Sequence, residues 1–230
     1  MKKLLLTGTV VLFGLSQAQI AKGTAYLSGQ VDYTHTERNE VNETFNNSIN
    51  LNTRIKEDAV KVIPTVGYFV DTNLAVGLGL GYKSTVGKYT IGNPGISNLL
   101  EIKETTNAFV VAPFVRKYWT LSEKLYFFGQ LQVPLEFGQE KFDSNSEIEM
   151  GDPMLSPSFS VKNNYTKIGV NIKPGLDYFL NKNWSIEATI GELGYNTSKR
   201  DLDGAKRLNN YKFGINLSSV TFGVKYVFAK

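Results

Sequence analysis

Apolar and polar residues alternate along several stretches of this chain, and the alternation restarts after each of three short polar turns. After Asp71 the even positions Leu74, Val76, Leu78, Leu80 and Tyr82 are apolar, with Ala75, Gly77, Gly79, Gly81 and Lys83 between them. After Lys124 the odd positions Leu125, Phe127, Leu131, Val133, Leu135 and Phe137 are apolar, alternating with Tyr126, Phe128, Gln130, Gln132, Pro134 and Glu136. A period of two marks a half-buried strand. The same reading gives strands at Thr24 to Thr36, Ala59 to Val70, Leu74 to Tyr82, Thr106 to Trp119, Leu125 to Phe137, Thr166 to Leu180, Trp184 to Gly191 and Ser218 to Phe228, eight in all.

Four of these strands carry aromatic residues just before a turn or the last residues: IPTVGYFV, APFVRKYW, KPGLDYFL and FGVKYVF. Three contain a proline, Pro64, Pro113 or Pro174, which cannot donate to a ladder and predicts a bulge or local irregularity there. The turns Asp71 to Asn73, Thr120 to Lys124 and Asn181 to Asn183 are short, whereas polar segments 37–58, 84–105, 139–165 and 193–210 read as four long loops. An even strand count with short turns on one side and long loops on the other predicts an all-β fold. The expected architecture is an eight-stranded antiparallel up-and-down transmembrane β-barrel with short periplasmic turns and four long extracellular loops.

A soluble barrel with an apolar lumen would share the alternation. The strands exceed the usual five or six residues, which suits a tilted membrane span. Tyr68, Trp119, Tyr178, Trp184, Tyr226 and Phe228 cluster near the short turns, as an interfacial girdle requires. The opposite face holds glycines, among them Gly67, Gly77, Gly175 and Gly191, interspersed with charges, which suits a narrow lumen. These features place the apolar face against lipid.

Composition adds the address. Met1-Lys2-Lys3, the apolar run Leu4 to Leu15 and Ser16-Gln17-Ala18 match a secretory signal peptide, so residues 1–18 are expected as a leader and 19–230 as one barrel domain. The run is too short for a transmembrane helix. Without Lys2 and Lys3 the bases number 25 − 2 = 23 against 21 acids, a balance of +2 with no clustered basic face, so nucleic acid is not an expected partner. There are no cysteines, and the fold is expected to stand without disulfides.

With the leader, the alternating hairpins and the last strand Val220, Phe222, Val224, Tyr226 and Phe228, the chain resembles the small outer-membrane β-barrel proteins of Gram-negative bacteria. This broad group has porin-like and adhesin-like members, and the Asn-rich loops look most like those of the Bacteroidetes lineage. The resemblance implies residence in the cell outer membrane. It also implies outer-membrane lipids and lipopolysaccharide as partners, and an unknown extracellular ligand at the loops. The last strand resembles the label read by the barrel-assembly machinery, although here Ala229 and Lys230 follow the closing aromatic.

Hairpin symmetry predicts which lumen residues meet. About Thr72, Lys61 opposes Lys83; about Lys182, Asp177 opposes Glu187. Like charges directly opposite are unfavourable, and each pair needs counter-charges from other strands. Arg116 and Lys225 have the depth to meet Asp177 and Glu187 near the periplasmic end, and Asp32 and Glu136 the depth to meet Lys61 and Lys83 near the outer end. Two ionic layers that plug the lumen are therefore expected, because eight strands enclose a space barely wider than their side chains. The alternative is a narrow water-filled, porin-like channel lined by the same residues.

Chemistry has little sequence support. The single histidine, His35, sits with Glu37 at the outer end of the first strand, where a lipid-modifying enzyme of the outer leaflet could use it, although a polar residue at a strand-loop junction is the preferred reading. Glu147, Glu149 and Asp152 could bind a divalent ion weakly, and loop residues Ser198 to Arg207 could contact lipopolysaccharide phosphates. No cofactor and no dedicated metal site are expected. The function expected is a non-enzymatic envelope or surface-interaction role carried by the extracellular loops.

Overall fold

The computed structural model describes residues 20–45, 49–92, 100–145, 158–213 and 220–228. The expected leader, Ala229, Lys230 and the trio Glu147, Glu149 and Asp152 lie outside them.

Among the described residues eleven antiparallel segments form one sheet: β1 (Ala25–Phe45), β2 (Ile49–Asp71), β3 (Leu74–Gly92), β4 (Leu100–Thr120), β5 (Leu125–Gln132), β6 (Leu135–Asn145), β7 (Phe159–Phe179), β8 (Trp184–Ile190), β9 (Leu193–Arg200), β10 (Leu208–Lys212) and β11 (Val220–Val227). β5 and β6 lie between the same two neighbours, β4 and β7. β8 and β9 both pair β7, and on their other side meet β11 and β10. β11 also pairs β1. The described segments thus occupy eight positions around a ring that closes where β11 pairs Tyr26 to Gln30 of β1, which removes the sheet edges at that level.

Both interruptions have a local cause. Between β5 and β6, Pro134 withholds its N–H from the ladder, yet the register is unchanged: 114 + 132 and 111 + 135 both give 246. Between β8 and β9 the register with β7 moves from 175 + 189 = 364 to 172 + 193 = 365. Gly191 accommodates that one-residue bulge with φ of 75°, a left-handed value that a side chain would resist. Past it the even residues, Asn196, Ser198 and Arg200, face the cavity, where before it the odd residues Glu187 and Thr189 did. The first short turn closes through Asn73 at φ 58°, and Ile20 docks there, its N–H donating to Asn73 Oδ1 (2.9 Å).

The polar segments expected as long loops differ from that expectation. β1 to β4 run for 21, 23, 19 and 21 residues, so the ladder continues through most of 37–58 and 84–105. β6 and β7 likewise occupy parts of 139–165, and β9 and β10 most of 193–210. Outside the membrane neither face of a hairpin needs apolar residues, so hydrophobic periodicity ends where the hydrogen-bonded ladder does not.

The protein is turned inside out relative to a soluble barrel. Leu27, Val62, Leu78, Val115, Leu131, Val170, Ile186 and Val224 are exposed on the outer face, while Arg116, Asp177, Glu187 and Lys225 are buried inside. Outward aromatics bound the apolar band, with Tyr68, Trp119, Tyr178, Trp184 and Phe228 at the short-turn end and Tyr33, Tyr82, Phe109 and Phe137 at the other. From Phe109 to Trp119 is 119 − 109 = 10 steps on one strand. At about 3.3 Å per step and a tilt near 40°, the band is about 25 Å tall, the height of a transmembrane barrel's lipid-facing belt. Among the described residues no helix is long and apolar enough to cross a membrane.

Candidate functional site: the barrel lumen

Four aromatic rings set the width of the lumen. Tyr26 stands directly across from Gly67, Phe114 from Gly77, Phe128 from Gly175 and Tyr165 from Gly138. A Cβ at any of these glycines would collide with the facing ring. Each ring therefore lies flat over backbone, which lets bulky groups fill a barrel of eight positions without forcing it open. Near the short-turn end Tyr26, Phe69, Tyr118, Tyr126 and Phe128 form a collar with Ile20, Ala75 and Val227. Neighbouring centroids of Tyr26, Phe69, Tyr118 and Phe128 are 5.5–5.9 Å apart.

Two ion pairs cross this collar. Arg116 Nη1 donates to Glu187 Oε2 (2.5 Å), and Lys225 Nζ donates to Asp177 Oδ2. Tyr118 Oη ties them together, accepting from Arg116 Nη1 (3.1 Å) and Lys225 Nζ (3.2 Å). Arg116 Nε donates to Gln130 Oε1 (2.7 Å), and Gln130 passes the network to Gln132 (2.9 Å). Gln30 donates to Glu187 Oε1 (3.2 Å) and Thr189 Oγ1 (2.9 Å). The guanidinium lies 4.2 Å from the Phe128 ring centre, and the ammonium 4.9 Å from those of Tyr118 and Phe179. Such contacts offset part of the lost hydration. Lys225, Asp177 and Glu187 are 0% exposed and Arg116 3%, so the layer is dry.

Asp177 and Glu187 are direct cross-strand partners, as are Lys61 and Lys83. The counter-charge from another strand comes from Arg116 to Glu187 and from Lys225 to Asp177.

The outer layer is looser and differs from the sequence expectation. Glu136 meets Lys83 (3.9 Å) and also Lys167 (3.5 Å). Asp32 accepts from Thr221 Oγ1 (2.6 Å), and although it is the register partner of Lys61 it makes no salt bridge with it. A further pair, Lys173–Glu192 (3.2 Å), was not legible in the sequence. Glu192 follows the Gly191 bulge, which shifts the strand's facing, and Lys173 precedes a proline. Above them Arg200 holds Glu140 (2.6 Å).

The lumen narrows from outside inward. An outer vestibule of about 840 Å³ leads past Lys83, Glu136 and Lys167 into a chamber of about 480 Å³. Below it, beside Lys61, Gln132 and Arg116, the space shrinks to about 30 Å³, about the room of one water molecule.

His35 takes a different partner from the one adjacent in sequence. Its Nδ1 lies 2.8 Å from Asp58 Oδ1, which also accepts from Tyr33 Oη (3.0 Å), on the outer face just above the apolar band. These hydrogen bonds hold the Asp58 carboxyl below the usual aspartate range. Glu37 binds Arg54 and is lowered likewise. Among the described residues no serine or threonine hydroxyl is hydrogen-bonded to His35 or Asp58. No group of three or more His, Cys, Asp or Glu residues that could hold a metal ion occurs among them either.

The predicted girdle and last-strand residues all lie on the outer side. Trp184 stacks edge-on with Tyr226 (4.9 Å), which meets Phe228 (5.1 Å). Phe222 and Val224 of the last strand face the lipid zone with them.

Two solved structures match most of this chain at low identity. The N-terminal β-barrel domain of Pseudomonas aeruginosa OprF is 10% identical, with a TM-score of 0.33, covering 91% of this chain and 100% of that one. Ail, the attachment invasion locus protein of Yersinia pestis, is 14% identical, with a TM-score of 0.29, covering 90% and 99%. No curated protein sequence matches. The model of the outer membrane protein beta-barrel domain matches residues 5–228. The chain belongs to that family and resides in the cell outer membrane.

Proposed function

We propose that this protein is a closed outer-membrane barrel that acts through its outer hairpins, as an envelope or surface-interaction component, and not by passing solutes. The dry layer of Arg116, Glu187, Asp177 and Lys225 carries this reading. Four ions no more than 3% exposed, set among aromatic rings, leave no hydrated path through that level among the described residues. The long strands above the membrane support the outward role, because they present a stiff, two-sided polar surface beyond the outer leaflet, where binding residues are best positioned by a rigid scaffold. Lipopolysaccharide and an extracellular ligand are the partners this surface would meet, and the outward row of the last strand is what the barrel-assembly machinery would read.

Single-channel recording of the refolded chain in a planar bilayer tests the proposal. The wild type should be silent, and Arg116→Ala, which deletes the side chain spanning the lumen, should give ionic steps. Steady conductance in the wild type would overturn it in favour of a narrow channel.

A further inference from the structure

The chamber of about 480 Å³ above the plug carries a charge imbalance that its own residues do not resolve. Four lysines line it, Lys61, Lys83, Lys167 and Lys212, against two carboxylates, Glu136 and Glu192, a surplus of 4 − 2 = +2. Glu136 is already shared between Lys83 and Lys167, and Glu192 is taken by Lys173. Lys61 stands directly across from Lys83, an unfavourable juxtaposition. Among the described residues it has no salt bridge, since Asp32 turns to Thr221.

Two cations sharing one carboxylate and a third with none leave the chamber with more positive than negative charge. Low-dielectric walls strengthen the field of such a cluster. The plug beneath makes the chamber blind, so whatever the field attracts from outside is held rather than conducted.

We propose that the chamber is a binding site for a small polyvalent oxyanion, a phosphate or a polycarboxylate, received from the outer side and held by Lys61, Lys83 and Lys167. The volume exceeds that of inorganic phosphate, leaving space for an organic portion whose hydroxyls Glu136 and Glu192 could accept. The proposal rests on the closed-barrel reading only for the statement that the anion is retained; binding itself does not need it.

Calorimetric titration of the detergent-refolded chain with inorganic pyrophosphate at low ionic strength is the test. One saturable site is expected, weakened about tenfold or more by Lys61→Gln and by added salt. Lys61→Arg, which keeps the charge, should retain binding, and so should Lys88→Gln, a change on the outer face remote from the lumen. Unfolding midpoints of all variants show that the barrel is intact. Absence of saturable binding, or equal weakening in Lys88→Gln, would overturn the proposal. Conductance of the wild type would instead refute the closed barrel, and the titration would still decide the anion site.

Discussion

Replacing Glu187 by Gln removes one charge from the dry layer while keeping the side chain's shape. Before the change two cations, Arg116 and Lys225, balance two carboxylates, with side chains no more than 3% exposed. Afterwards both cations share Asp177, and Arg116 loses its 2.5 Å carboxylate partner. Removing one member of a buried pair costs about 3–5 kcal/mol, most of it the penalty of an uncompensated buried ion. Glu136→Gln makes the same chemical change one layer higher, where Glu136 is 13% exposed beside a large chamber and its lysines lie at 3.5 and 3.9 Å. There the loss should be about 1 kcal/mol or less. Urea unfolding of both variants in the same detergent, checked for a single transition, measures the difference. The double change Arg116→Gln with Glu187→Gln should recover most of the loss, because no unpaired ion is left. If Glu187→Gln and Glu136→Gln destabilise equally, the lower layer is hydrated and the argument for a sealed lumen fails.

Other perturbations probe the remaining features. Gly175→Val would drive a side chain into the Phe128 ring and the Ala188 carbonyl, costing about 1–3 kcal/mol by unfolding midpoint. Gly29→Ala, where a Cβ meets nothing within 4 Å, should be neutral, and equal effects would refute the packing account. Phe222→Lys places a charge on the lipid face in the interior of the apolar band and should cost about 2–4 kcal/mol, against about 0–1 kcal/mol for Leu180→Lys at the turn end. The reverse order would misplace the band. Asp58 has a folded pKa lowered by His35 and Tyr33, so its contribution to the β1–β2 hairpin is present above the unfolded aspartate value and lost as pH falls through the lower folded one. A carboxyl carbon-13 titration should therefore show Asp58 still ionised at about pH 4, and a midpoint at or above the ordinary aspartate value would refute the contact.

How much the sequence disclosed depended on whether lipid touched the residues. Where the outer face meets the bilayer, as at Leu74 to Tyr82, apolar alternation marked the strand and its facing. Beyond the band, as at Lys56 opposite Lys88, both faces are polar and the ladder left no periodic trace. Turn symmetry gave the oppositions of Lys61 with Lys83 and Asp177 with Glu187, because both turns are short and the one register shift, between Phe69 and Asp71, lies at the turn itself and leaves the ladder centred on Thr72. It could not reach Glu192, since the Gly191 bulge adds one residue, nor the turn of Asp32 toward Thr221, which depends on a strand far away in sequence.

The four aromatic rings seated on glycines also index the strands during assembly. A slip of two residues keeps every side chain on its proper face, so lipid alone opposes it only weakly. The same slip would set Tyr26 against Thr65 or Phe69, Phe128 against Lys173 or Asp177, and Tyr165 against Glu136 or Glu140. Only Phe114, between Ala75 and Gly79, would find another glycine. Tyr26, Phe128 and Tyr165 therefore each work as a key that fits one slot, and their strand pairs favour one alignment independently of the ion pairs.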